Sequence, residues 1–159
     1  DKSDRGAQRE RFEAHIDAAR QTGLPLVIHT RDAEDDTAAM LRDAVVKGGV
    51  KGVLHCFTGS RALAEIGLDL GFYVSLSGIV TFKNAQDLQE TAKFLPKDMM
   101  LIETDSPFLA PVPNRGKTCE PAFVSDTAAF VADLRGESIE ELAANTTRNF
   151  FTLFDKAAA

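Results

Sequence analysis

Short, continuously apolar runs alternate along the chain with longer stretches whose apolar positions recur every three or four residues. The runs over 24–29 (LPLVIH), 50–57 (VKGVLHCF), 72–80 (FYVSLSGIV) and 99–103 (MMLIE) read as β-strands. Several are apolar on consecutive positions, the pattern of a parallel sheet covered on both faces. Between them lie amphipathic helices. Residues 6–22 place Phe12, Ile16 and Ala19 on one face and stop at Gly23, with Pro25 just beyond. Residues 34–47 group Met40, Leu41, Ala44 and Val45 before Gly48-Gly49, and residues 60–70 group Leu63, Ile66 and Leu70 between Ser60 as N-cap and Gly71. A fourth helix over 84–94 carries Leu88 and Ala92. A Pro- and Gly-rich loop follows residue 103, and two or three helices close the chain. One spans 121–135, a second is opened by a Ser138/Glu141 capping box, and Phe150, Phe151, Leu153 and Phe154 end the last.

The predicted strands end near His29, His55, Ser77 and Glu103, spaced by 22 to 26 residues. Units of that length are βα repeats with right-handed crossovers and parallel strands, which sets the fold class as α/β. No linker or low-complexity tract divides residues 1–159. The length is ordinary for one domain but short of the roughly 250 residues of a complete (β/α)₈ barrel. With 44% hydrophobic and 26% charged residues, the composition excludes disorder. No apolar run approaches a membrane span, and the opening residues build no signal peptide, so the cytoplasm is the expected compartment. Two cysteines, Cys56 and Cys119, make no disulfide framework.

Eighteen basic and twenty-four acidic residues give a net charge of −6. That balance argues against a broad basic face for nucleic acid but leaves room for a site whose own cations or metal reverse the local sign. In parallel α/β proteins such a site stands at the carboxyl ends of the strands. His29 closes the first strand, His55 the second, and Asp105 follows the fourth. Imidazole nitrogen with carboxylate oxygen suits Zn²⁺, Mn²⁺ or a similar divalent ion. Each residue also has a plain structural use: a strand-end histidine can be simply hydrogen-bonded, and Asp105 before Ser106-Pro107 can be a turn former. Arg31, Lys83, Arg115 and Lys117 are cations in strand-following loops, suited to phosphate or to ordinary ion pairs. His15 sits on a helix among polar neighbours, and Cys56 reads as a small buried hydrophobe.

Five segments then stand in a specific order: IHTRDA (28–33), HCFTGS (55–60), SLSGIVTFKNA (75–85), IETDSPFLAP (102–111) and NRGKTCEP (114–121). With them the chain resembles the TatD family of metal-dependent deoxyribonucleases, part of the amidohydrolase-like barrel superfamily, over about residues 8–154. The resemblance implies a TIM barrel that hydrolyses phosphodiester bonds in DNA, its divalent site at the strand carboxyl ends holding one or two ions. Zn, Mn and Mg are not distinguished. It further implies His29, His55 and Asp105 as metal ligands, Asp105 also as the base that orients the attacking water, Glu103 as their support, and Arg115 and Lys117 against substrate phosphates. Cys119 replaces the usual Asn of RGKxxEP. No His-x-His pair occurs in the 159 residues.

The expectation is therefore a single partial TIM-barrel domain over 1–159, the later half of a (β/α)₈ barrel without the first three βα units. It would lack the His-x-His pair and one Glu ligand, and an open sheet would leave edges and the inward face exposed or favour self-association. DNA is the expected substrate, by exonucleolytic cleavage. A hydrolase of another phosphoester or amide on the same scaffold, and a catalytically incomplete barrel, are the alternatives.

Overall fold

The computed structural model describes residues 3–157. Four parallel strands form one sheet in chain order: β1 (Leu26–Ile28), β2 (Gly52–Leu54), β3 (Tyr73–Leu76) and β4 (Met100–Ile102). Val27 pairs with Val53, Val53 with Tyr73, and Ser75 with Leu101, so these side chains share one face. Sequential order with helical crossovers is the arc of a singly wound barrel and confirms the parallel α/β reading. The helices are α1 (Arg5–Thr22), α2 (Glu34–Val46), α3 (Arg61–Asp69), α4 (Gln86–Phe94), α5 (Val124–Arg135) and α6 (Ile139–Leu153).

Helix limits follow local chemistry. The Asp4 carboxylate accepts from Ala7 N at the start of α1, and Gly23 ends that helix with φ 67°, a left-handed turn that favours glycine. Ser60 and Ser138 cap α3 and α6 by accepting from Leu63 N and Glu141 N. Only that half of the expected capping box forms, because the Glu141 carboxylate takes Lys97 at 2.6 Å instead.

One expectation is corrected. The strand predicted over 72–80 stops at Leu76, and Gly78–Thr81 turns as a 3₁₀ helix in which the Thr81 hydroxyl donates to Gly78 O at 2.7 Å. The apolar run continues there because Val80 is fully buried, not because the strand does. At the other end, two α-helices close the chain, within the expected two or three: Phe150 and Phe151 lie in α6, one continuous helix from Ile139 to Leu153, and Phe154 is its C-cap.

The main core lies between the helices and one sheet face, where Leu54, Val74, Leu76 and Met100 meet Leu41, Leu63, Phe72, Val131 and Leu142. Burial of such side chains contributes about 1.5–3 kcal/mol each. On the opposite face Val53, Tyr73 and Leu101 pack against Leu153 and Phe154. Beyond them the face opens into a hollow of about 700 Å³ bordered by Val27, Ile139, Phe150 and Phe151. Val27 is 60% exposed there. No helix among the described residues is long and apolar enough to cross a membrane.

Helix α6 is fastened to the sheet by one buried amide. Asn149 Nδ2 donates to Lys97 O and Met100 O, each at 2.8 Å. Asn149→Ala leaves both carbonyls unsatisfied and should cost about 2–3 kcal/mol in urea unfolding. Asn149→Asp keeps the shape but turns a carboxylate on two carbonyl oxygens, and should cost more than the alanine variant. Equal stabilities would refute this account of the contact.

Candidate metal centre

The parallel ladder delivers the chemistry one residue past each strand. His55 N donates to Ile28 O and Glu103 N to Leu76 O, so His29, His55 and Glu103 emerge directly at the carboxyl rim. By strand alternation they lie on the side of Val27, Val53 and Leu101, away from the helices. The sequence-predicted residues His29, His55, Glu103 and Asp105 thus come together on one rim.

Glu103 organises the group. Its Oε1 accepts from Cys56 N at 2.8 Å and lies 2.7 Å from His55 Nδ1, while Oε2 accepts from the Ser75 hydroxyl at 2.5 Å. A carboxylate oxygen cannot donate, so Nδ1 carries the proton and Nε2 is left to face outward. Nε2 stands 3.5 Å from Asp105 Oδ1. That is too long for a good hydrogen bond. Two donor atoms each about 2.1 Å from one ion, at a tetrahedral angle, lie about 3.4 Å apart, so the pair has the spacing of co-ligands. The His29 ring stands 6.2 Å from the His55 ring, centroid to centroid.

Donor type and pair spacing therefore fit a divalent ion, and the carboxylate on Nδ1 is the support that ligating imidazoles usually have. The set is nevertheless open. Among the described residues, no three His, Cys, Asp or Glu side chains are gathered into a group that could hold a metal ion.

Cys56 has φ 45°, the left-handed region that non-glycine residues rarely occupy, which lets its N–H turn toward Glu103. Its thiol lies 3.2 Å from the Ser77 hydroxyl. Burial pushes the thiol pKa up, Ser77 opposes the shift, and Asp105 and Glu103 add to it. Cys56 is thus a buried, protonated group rather than a nucleophile.

The cations distribute unevenly. Arg31 is exposed, 4.0 Å from the equally exposed Asp32, and Lys83 is exposed in the loop after the 3₁₀ turn. The Arg115 guanidinium sits 4.2 Å over the Phe82 ring, and Lys117 Nζ donates to Asn114 Oδ1 at 3.1 Å. Asn114 in turn donates to Asp126 at 2.8 Å, which moors the cationic loop to α5.

Sequence reasoning missed two contributors. Ser75 was findable, because strand alternation puts a small polar side chain on the inward face. Glu34 carried no signal: its carboxylate accepts from Ser60 N at 2.7 Å and from the Ser60 hydroxyl at 2.5 Å, a strut between the loops that bear His29 and His55.

The family model described as TatD related DNase matches residues 1–155. The uncharacterized metal-dependent hydrolase YcfH of Escherichia coli (strain K12) is 53% identical over 147 residues, which are 92% of this chain and 55% of that protein. The 3'-5' ssDNA/RNA exonuclease TatD of Klebsiella pneumoniae (strain 342) is 35% identical, over 92% of this chain and 57% of that protein. The crystal structure of YJJV, a TatD homologue from Escherichia coli k12, superposes with a TM-score of 0.83 at 27% identity, over 93% of this chain and 57% of that one. The chain thus spans just over half the length of these relatives.

The Glu103 contact has a spectroscopic consequence. In long-range ¹H–¹⁵N spectra, the neutral His55 ring should carry its proton on Nδ1. A neutral ring protonated at Nε2 would show that Glu103 does not set the tautomer.

Proposed function

We propose that this chain, which belongs to the TatD family of DNase-related proteins, supplies part of the active site of a metal-dependent phosphodiesterase that hydrolyses DNA from a strand end. The observation that carries the reading is the rim constellation: His55 oriented by Glu103, with Asp105 at co-ligand distance and His29 alongside. The name of the Klebsiella relative supports a single-stranded nucleic acid as substrate.

His29, His55 and Asp105 would hold the ion. A bound divalent ion supplies Lewis acidity and charge neutralisation for a phosphoryl oxygen. Glu103 fixes the His55 ring, so its Nε2 lone pair is presented without a search over rotamers. Asp105, partly exposed at the rim, accepts the proton of the water that attacks phosphorus. Arg115 and Lys117 neutralise phosphate oxygens from the loop moored to α5, giving the net-acidic chain a local positive wall.

A wider reading also has support. YcfH is named only as a metal-dependent hydrolase, and the same rim could act on a small phosphoester or an amide. A non-catalytic role finds support in the open donor set. One assay separates the three: hydrolysis of single-stranded DNA, RNA and a generic phosphodiester, with and without chelator, on the protein that carries this chain. Chelator-sensitive cleavage of DNA supports the nuclease, while activity on none of the three substrates overturns it.

Two variants probe the residue roles. Asp105→Asn should lower the turnover of DNA by about 10²–10⁴-fold. Glu103→Gln should weaken Mn²⁺ binding by about 10–100-fold in titration calorimetry while the protein stays folded. Unchanged Mn²⁺ affinity would remove Glu103 from the metal centre.

A further inference from the structure

We infer that Phe108 is a base-stacking residue, an aromatic surface that receives the nucleobase beside the phosphate addressed by Asp105; the inference rests on the nucleic-acid reading above. Phe108 is 67% exposed. A singly exposed hydrophobe is ordinary in itself. What distinguishes this one is how firmly the chain holds it out.

The turn is pinned on both sides of the ring. Phe108 N donates to Asp105 O at 2.7 Å, and Cys119 N donates to Pro107 O at 2.9 Å. Leu109 has φ 56°, a left-handed conformation unfavourable for a branched side chain. Its carbonyl presses against Gly78 so closely that a Cβ there would lie 2.2 Å from Leu109 O. Val112 N then donates to the Thr81 hydroxyl at 2.9 Å. Left-handed backbone and close approach are tolerated while the ring between them stays in water. Among the described residues no ring or cation stacks on it, whereas Phe82 is already covered by Arg115.

Position completes the argument. The Phe108 turn starts at Asp105, and its bond to Cys119 joins it to the loop of Arg115 and Lys117. One wall therefore carries the proton acceptor, the cations and an uncovered aromatic ring. Phosphate charge and a base π-face are the two features that sequence-tolerant single-strand binders read. A rigid ring with two side-chain torsions also loses little freedom when a base packs on it.

The test measures binding by the natural full-length protein to a hydrolysis-resistant phosphorothioate single strand of about ten nucleotides and to its abasic counterpart. The parent protein should prefer the base-bearing strand. Phe108→Ala should bind that strand on the order of ten-fold more weakly and the abasic strand unchanged. Phe108→Trp should restore affinity, and the emission it adds should be quenched by the base-bearing strand alone. Equal binding of both strands by the parent, or an unaffected alanine variant, overturns the stacking role while leaving the nuclease reading standing. Binding of neither strand by the parent overturns both. A Tm for Phe108→Ala lowered by more than a few degrees would place the ring in packing and also overturn the role.

Discussion

Glu103 is a carboxylate one residue past β4, the last strand of the described sheet, with only about a fifth of its side chain exposed. A charge in that position is stable only if its oxygens are met by donors. Three donors from two segments meet them: the His55 ring and the Cys56 amide after β2, and the Ser75 hydroxyl on β3. The requirement works in both directions. The carboxylate needs these donors, and in meeting them it draws the loop after β2 onto β3 and β4, holds Cys56 in a left-handed conformation and aims His55 outward. The spacing of Nε2 to Asp105 depends on that aim, and so does any ability to hold an ion.

Around this centre the loops are fixed by different means. The loops after β1 and β2 are joined through Glu34 and the two donors of Ser60, which also caps α3. The loops after β3 and β4 are joined by the Gly78–Leu109 approach, by the Thr81 hydroxyl and by Arg115 on Phe82. Each loop is tied to its neighbour rather than only to its own strand, so the rim acts as a connected surface. The cations at its edge are exposed and lightly paired, which leaves them free to meet phosphate in spite of the net charge of −6.

The sheet and its rim were largely legible in the amino-acid pattern. Parallel strands announce themselves as unbroken apolar runs, and a repeat of 22 to 26 residues lays successive strand ends on one edge, so the amino-acid pattern alone places His29, His55 and Glu103 there. The errors have physical sources. Val80 looks like strand because burial, not backbone conformation, selects its side chain. The Glu34–Ser60 strut joins residues 26 apart through polar atoms that local periodicity does not encode. The left-handed turns at Cys56 and Leu109 involve no glycine, so they too were invisible.

These differences in legibility follow a division of labour. The donors that would address a metal stand at the sheet edge, where the hydrogen-bond ladder permits little displacement and strand alternation dictates direction. Phe108, Arg115 and Lys117 stand on the long loop after β4, where position depends on side-chain and backbone contacts particular to this chain. On the proposed reading, reaction chemistry and substrate recognition thus occupy mechanically different parts of one rim. Substitutions in the loop can alter what is bound while Glu103 keeps His55 in place, because the donors that meet the Glu103 carboxylate, the Cys56 amide, the His55 ring and the Ser75 hydroxyl, all lie outside that loop. A parallel sheet with unequal loops can therefore keep its chemistry while its choice of substrate changes.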